Sequence, residues 1–192
     1  MLLDIHFPTA FYVLEDSLSE KENNDLLLKI TNINNNAEKG GTNWLTDVYN
    51  TQGTYNLMKD NDFENLCNNV TYHTNKFAKI LESDYDYTCD EGWLNCYYKN
   101  DFQEYHTHPQ SVFSAVYFFT NPENSGKLIF ENPIEPDMYG LQNKIKTNTL
   151  NASTCSFMPK PRTLIIFRSY LRHMVTRCNN IEPRITAAFN LK

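Results

Sequence analysis

The spacing of apolar residues along this chain changes period near residue 90. Before it, Phe63, Leu66, Cys67, Val70, Phe77, Ile80 and Leu81 recur at helical intervals, which predicts a helix carrying one apolar stripe. Such a stripe needs a sheet to cover. A first helix is predicted upstream, where Ser17 with Glu20 and Ser19 with Glu22 are both possible capping boxes. It would continue through Leu26, Leu27 and Ile30 and end within Asn32 to Gly41. Leu2 to Leu14 is aliphatic and aromatic but broken by Pro8, which fits an edge strand running into a loop.

After residue 90 the pattern becomes a succession of short strands. Gly92 to Lys99, Ser111 to Thr120, Lys127 to Phe130, Thr163 to Phe167 and Ile185 to Leu191 are rich in aromatic and β-branched residues and are separated by Asn, Pro and Gly. No helical period lies between them, so parallel crossovers are disfavoured and an antiparallel barrel or jelly roll is expected. The expected architecture is mainly β with N-terminal helical support. At 192 residues and 41% hydrophobic content the chain can bury a real core, and no shift in composition divides it. One domain is therefore expected over 1–192, with 1–90 as support and 91–192 as the jelly-roll core. Residues 132–161, with Tyr139, Gly140 and several Asn and Thr, read as an insertion, either a lid or a plain exposed loop.

Composition narrows the function classes. A net charge of −6 with no basic run leaves a nucleic-acid partner unsupported. No apolar segment approaches the roughly 20 residues needed to cross a bilayer, and the start Met1-Leu2-Leu3-Asp4 lacks the marks of a signal peptide, so a cytoplasmic location is expected. Cys67, Cys89, Cys96, Cys155 and Cys178 are odd in number and contain no C-x-x-C pair, which favours reduced thiols. Without an export signal, the glycosylation patterns at Asn69 and Asn151 carry no consequence. The many asparagines are compatible with an AT-rich genome, such as that of a phage or its host.

Candidate chemistry gathers on His106 and His108 in Tyr105-His106-Thr107-His108-Pro109, on His173 in Leu171-Arg172-His173-Met174-Val175, and on Arg184. An H-x-H pair ending a strand can bring both imidazoles to one ion, and a third histidine completes a face that leaves positions open. On a strand, Arg184 and Thr186 share a face, where a guanidinium fork and a hydroxyl can hold a carboxylate. Asn190, two alternations further along, faces the same way on a regular strand. His6 and His73 read as ordinary structural histidines.

Taken in order, several segments resemble 2-oxoglutarate- and Fe(II)-dependent oxygenases of the double-stranded β-helix fold, a cupin-like jelly roll, and most of all a family of uncharacterised bacterial and phage members. They are Phe7-Pro8-Thr9, Trp93-Leu94-Asn95, His106-Thr107-His108-Pro109 with Ser111 and Ser114, Gly126-Lys127-Leu128-Ile129-Phe130 with Pro133, Leu164-Ile165-Ile166-Phe167, and the stretches around His173 and Arg184. The resemblance implies Fe(II) held by His106, His108 and His173. It implies 2-oxoglutarate held by Arg184, with Thr186 as hydroxyl partner and Tyr98 as a further donor, and it implies that Asn190 contacts substrate or cosubstrate. The activity implied is a dioxygenase that hydroxylates a C–H bond of an unidentified substrate, either a protein residue or a small metabolite. Dioxygen and 2-oxoglutarate are consumed, and succinate and carbon dioxide are released.

The sequence departs from this pattern at His108, where the superfamily usually has Asp or Glu. If His108 is not a ligand, Glu104 or Asp101 is a possible substitute. A halogenase is disfavoured, because such enzymes have a small residue at that place. Arg162 stands where glycine is usual, and Arg168 and Tyr170 stand where proline and tryptophan are usual, which bears on substrate choice. Two other classes stay open: a cupin-type three-histidine metalloenzyme that does not use 2-oxoglutarate, in which Arg184 would be dispensable, and a non-enzymatic phage-associated jelly-roll binding protein, which would hold no metal.

Overall fold

The computed structural model describes residues 2, 4–41, 44–134 and 145–192. Chain order is β1 (Tyr12–Leu14), α1 (Glu20–Asn36), β2 (Tyr49–Asn50), two 3-10 turns, α2 (Glu64–Ile80), then β3 (Cys89–Tyr97), β4 (Gln103–His106), β5 (Phe113–Phe118), β6 (Leu128–Glu131), β7 (Thr154–Phe157), β8 (Leu164–Arg168), β9 (His173–Val175) and β10 (Arg184–Leu191). Six strands form one sheet in the order β1-β8-β5-β10-β3-β2, and four form a second in the order β4-β9-β6-β7. Every pairing among them is antiparallel. Two facing sheets with helices behind the larger one make the jelly roll of a double-stranded β-helix.

Alternation sorts the core into two layers. Leu94, Ala115, Tyr117, Leu164, Ile166, Ala187 and Phe189 turn toward the helices and pack with Leu26, Ile30, Leu66 and Val70. Tyr97, Phe118, Ile165 and Phe167 turn the other way and meet Leu128, Phe130 and Val175 of the smaller sheet. Leu164 to Phe167 is an unbroken apolar run because both faces of its strand are buried.

The first helix begins at the second of the two possible capping boxes. Ser19 Oγ accepts from the Glu22 backbone N–H while the Glu22 carboxylate accepts from Ser19 N–H, an arrangement worth about 1 kcal/mol. Ser17 instead donates to Asn69 Oδ1 on α2. Buried Asn23 ties α1 to the large sheet, receiving a bond from Tyr117 Oη–H and donating to the Phe119 carbonyl. On α2 the predicted stripe is buried from Phe63 to Phe77, but Ile80, 64% exposed, and Leu81 run past the edge of the sheet.

Several expectations are corrected. The N-terminal strand is reduced to Tyr12–Leu14, at the edge of the large sheet against β8. The expected insertion 132–161 contains β7, which pairs with β6 along Leu128 to Glu131 and so belongs to the small sheet. Tyr139 and Gly140 lie outside the described residues. Arg162 has φ +67°, the backbone region that favours glycine, and its guanidinium pairs with Asp16. A glycine would meet that backbone conformation without strain. Arg168 stacks on Phe113 and Tyr170, and none of the three arginine and tyrosine departures lines the cavity described below. All five cysteines are free. Among the described residues no helix is long and apolar enough to cross a membrane.

Candidate metal centre and anion pocket

Between the sheets lies a cavity of about 300 Å³. The pocket face of the large sheet is one parity of three paired strands: Glu91, Trp93, Asn95 and Tyr97 on β3, Arg184, Thr186, Ala188 and Asn190 on β10, and Ser114 and Val116 on β5. Register places Tyr97 opposite Arg184, Asn95 opposite Thr186, Trp93 opposite Ala188 and Glu91 opposite Asn190. A side chain at Gly92, on the other face, would come within 2.7 Å of the Phe189 ring lying across it, so anything larger than glycine there would force that buried ring to shift.

The small sheet supplies the histidines. His106 ends β4, His173 begins β9, and the two are direct cross-strand partners. One extra residue sits in β4 between Gln103 and His106, compared with Val175 to His173 on β9. This bulge lets Gln103 and His106, three apart, both line the cavity. Glu104 is turned out of it and accepts from Leu45 N–H, and Asp101 accepts from Tyr98 N–H. Neither substitute carboxylate reaches the histidines. His108 follows β4 in a loop pinned by its backbone N–H to the Ser169 carbonyl at 3.1 Å.

One ring nitrogen from each of His106, His108 and His173 lies within 4.8 Å of the others. The centroids are 4.2 Å apart for His106 and His173, 5.3 Å for His106 and His108, and 5.1 Å for His108 and His173. In each ring Nδ1 is already engaged: with the Glu104 carbonyl at 2.7 Å, the Asn190 Oδ1 at 2.7 Å and the Leu171 carbonyl at 2.8 Å. A carbonyl oxygen only accepts, so Nδ1 carries the proton and Nε2 is left with a free lone pair. This is how outer hydrogen bonds prepare imidazoles as metal ligands.

Burial keeps all three rings neutral. It depresses His106, takes His108 down to about 4 with a further contribution from His106, and holds His173 well below the usual histidine value, helped by its two neighbours. The metal-free protein should therefore lose stability as pH falls. A histidine depressed in the folded state contributes fully above its unfolded value of about 6.5 and loses that contribution as pH drops toward the folded one, by at most about 1.4 kcal/mol per pH unit per ring. Thermal melts between pH 7 and 5, above the range where carboxylates titrate, should show a falling Tm. A flat Tm would mean that the rings protonate freely in the fold.

At the other end of the inward row of β10 lies Arg184, 1% exposed. Its guanidinium sits 5.1 Å from the Tyr97 ring centroid and 5.0 Å from that of Phe118, and Nη1 donates to the Gly126 carbonyl at 2.6 Å. A Cβ at Gly126 would meet the Thr176 carbonyl at 2.0 Å, so glycine is what lets this backbone come close. Among the described residues no carboxylate pairs with Arg184, and its Nε is buried without a partner, as is Oδ1 of Asn95. A buried, unpaired cation with an idle donor is costly unless a ligand anion completes it. Thr186, two residues along β10 from Arg184, lines the same cavity.

Four sequence expectations change or gain detail. Tyr98 is 51% exposed beyond the end of β3 and does not line the cavity. Alternation turns Tyr97 inward instead, 2% exposed, with its hydroxyl donating to Gln103 Oε1 at 2.8 Å. Asn190 lines the cavity, but its Oδ1 is taken by His108. His73 Nδ1 bonds the Tyr12 hydroxyl at 2.9 Å and His6 pairs with Asp4, which gives both an ordinary structural role. Trp44, edge-on to His106 at 4.9 Å, and Trp93, stacked on His108 at 5.8 Å, were not singled out by the sequence for any role. Gln103 and Glu91 were missed as well, since isolated polar residues carry no periodic signal.

A family model described as "Putative 2OG-Fe(II) oxygenase" matches residues 91–190. No curated protein matches the chain. Among solved structures, an oxidoreductase of the 2OG-Fe(II) oxygenase family from Burkholderia pseudomallei is 15% identical, with 95% of this chain and 84% of that chain covered and a TM-score of 0.64. A prolyl-4-hydroxylase from Pseudomonas putida is 10% identical over 96% of this chain and 92% of that one, TM-score 0.64. HygX from Streptomyces hygroscopicus, solved with nickel and 2-oxoglutarate bound, is 10% identical over 95% of this chain and 82% of that one, TM-score 0.65. At such identities these likenesses concern the fold.

Proposed function

The chain belongs to this 2OG-Fe(II) oxygenase family, and from that premise we propose that it is a 2-oxoglutarate-dependent dioxygenase using Fe(II) held by His106, His108 and His173. The observation that carries the reading is a pocket that gathers three histidines, each with Nδ1 on an oxygen acceptor, at one end and holds a buried guanidinium with an unpartnered Nε at the other. A metal cation fits the first and a dicarboxylate spans toward the second.

When bound, the iron with 2-oxoglutarate and dioxygen supplies an oxidant that hydroxylates a C–H bond, with release of succinate and carbon dioxide. The protein's own work is orientation and exclusion of water. Arg184 and Thr186 take the carboxylate remote from the metal, the guanidinium through charge-assisted hydrogen bonds and the hydroxyl as an added donor. Tyr97 and Phe118 both lie against the guanidinium and limit its freedom to move. Phe130 and Phe167 wall His173, at 5.3 and 4.9 Å between centroids, and shield that side of the centre from water. Trp44 and Trp93, flanking the histidines, offer apolar walls to the substrate carbon. The substrate is a protein residue or a small metabolite.

Anaerobic addition of Fe(II) and then 2-oxoglutarate should produce the visible charge-transfer absorption of the ternary complex, and admission of air should produce succinate. Absence of both metal binding and absorption would sink the oxygenase reading. Metal binding indifferent to 2-oxoglutarate would instead mark a three-histidine enzyme of another kind.

A further inference from the structure

Resting on that reading, we propose that Glu91 is a positioning residue for the metal centre: through the side-chain amide of Asn190 it fixes the tautomer of His108 and supplies, from behind that ring, the negative charge that the neutral ligand set lacks. Three contacts make the chain. His108 Nδ1 meets Asn190 Oδ1 at 2.7 Å, Asn190 Nδ2 donates to Glu91 Oε2 at 3.3 Å, and Ser114 Oγ donates to Asn190 Oδ1 at 3.3 Å.

His106 and His173 need no such help, because each Nδ1 faces a backbone carbonyl, which can only accept. His108 differs, since its Nδ1 faces a primary amide. An amide can present either its oxygen or its NH₂. With the NH₂ turned to Nδ1, the proton would move to Nε2 and the ring would be lost as a ligand. What decides the orientation is the amide's other neighbours. Asn190 lies in β10 between Ser114 on β5 and Glu91 on β3, directly opposite both. Ser114 tolerates either orientation, because a hydroxyl can donate or accept, and it also bonds Ser169 Oγ at 2.8 Å. The Glu91 carboxylate only accepts, so it compels the NH₂ end toward itself and the oxygen toward His108.

Charge points the same way. Glu91 is the sole carboxylate among the described residues lining the cavity. With three neutral histidines, Fe(II) and Arg184 against a dianionic cosubstrate, the site carries one excess positive charge. The Glu91 carboxylate cancels it, replacing from two hydrogen bonds away the anion usually found in the first coordination shell.

The test uses the full chain, ¹⁵N-labelled and metal-free, as wild type, Glu91→Gln, Asn190→Asp and the double variant, with folding checked by thermal melting. Long-range ¹H–¹⁵N correlation reads the His108 tautomer directly, and anaerobic Fe(II) and Co(II) titrations read affinity. Glu91→Gln, whose amide can face Asn190 either way, should populate the Nε2–H tautomer and weaken metal binding about tenfold, the lower end of losses from outer hydrogen-bond partners. In the double variant, the carboxylate introduced at position 190 only accepts and faces an uncharged amide at position 91, so the Nδ1–H tautomer and wild-type affinity should return. An unchanged tautomer with affinity within twofold of wild type in Glu91→Gln, or failure of the double variant to restore either, would overturn the proposal. Wild type that binds no metal would remove the oxygenase reading, while the tautomer measurement would still decide the role of Glu91.

Discussion

Arg184→Met is expected to raise the concentration of 2-oxoglutarate needed for turnover by at least about a hundredfold while leaving metal affinity unchanged and Tm equal or higher. Two charge-assisted hydrogen bonds at about 1.5–3 kcal/mol each set the size of the first effect, since every 1.4 kcal/mol is a factor of ten. The second follows from distance along the strand: Arg184 is at one end of the inward row of β10 and Asn190, which carries His108, is at the other. The third is the less intuitive part. Without its anion Arg184 is a buried cation with an unpartnered Nε, and burial itself pulls its pKa down from the usual arginine value. An apolar chain of similar length removes that cost and keeps the contacts with Tyr97 and Phe118. Equilibrium titration of Fe(II) and then of 2-oxoglutarate into the variant, beside thermal melts of the metal-free form, checks all three. A variant with wild-type cosubstrate affinity would mean that the acid binds elsewhere or that no acid is used.

His108→Ala is expected to weaken Fe(II) binding by more than about a hundredfold, beyond the upper range for loss of an outer-shell partner, and to abolish succinate production. Two of the three candidate ligands remain in the variant, and His106 and His173 keep their bonds to the Glu104 and Leu171 carbonyls, so the fold and the cross-strand pair should survive. Neither Glu104 nor Asp101 is placed to take the vacant position, because neither lines the cavity and each accepts through one oxygen from a backbone N–H outside it. Wild-type affinity in His108→Ala would show that the third ligand is not this histidine. His108→Asp, which restores the residue type usual in the superfamily, should recover binding in part, limited by the shorter reach of the aspartate from the same loop.

Much of the architecture was legible because burial imposes a period. The stripe from Phe63 to Phe77 and the runs that became β3, β5, β6, β8 and β10 each bury one or both faces. The strands that escaped are those whose residues face the cavity or the sheet edge. β4 reads Gln-Glu-Tyr-His and β9 His-Met-Val, too short and too polar to signal a strand, although they carry the histidines. The extra residue in β4 could not be foreseen, yet it decides that Gln103 faces inward and Glu104 does not. Tyr98 illustrates the same limit. One residue of register separates an exposed tyrosine from the buried Tyr97, and only the pairing of Tyr97 with Arg184 settles which of them meets the guanidinium.

The sequence by itself determined the chemical inventory: three histidines and an arginine followed by a threonine two positions on, set in an acidic chain whose apolar periods predict helices and then an antiparallel sheet. It did so because residue identity fixes which atoms can donate, accept or ligate, and because spacing fixes which of them share a strand face. The tertiary structure decided what those atoms are free to do. It engaged Nδ1 of each histidine so that Nε2 faces its neighbours, buried Arg184 without an anion, and turned Asn190 to His108 with Glu91 behind it. Those outcomes rest on contacts between residues as far apart as Glu91 and Asn190, where a bulge or a one-residue shift exchanges one partner for another. No local pattern encodes that choice, because the free energy that makes it belongs to the packed pair of sheets and not to any one strand.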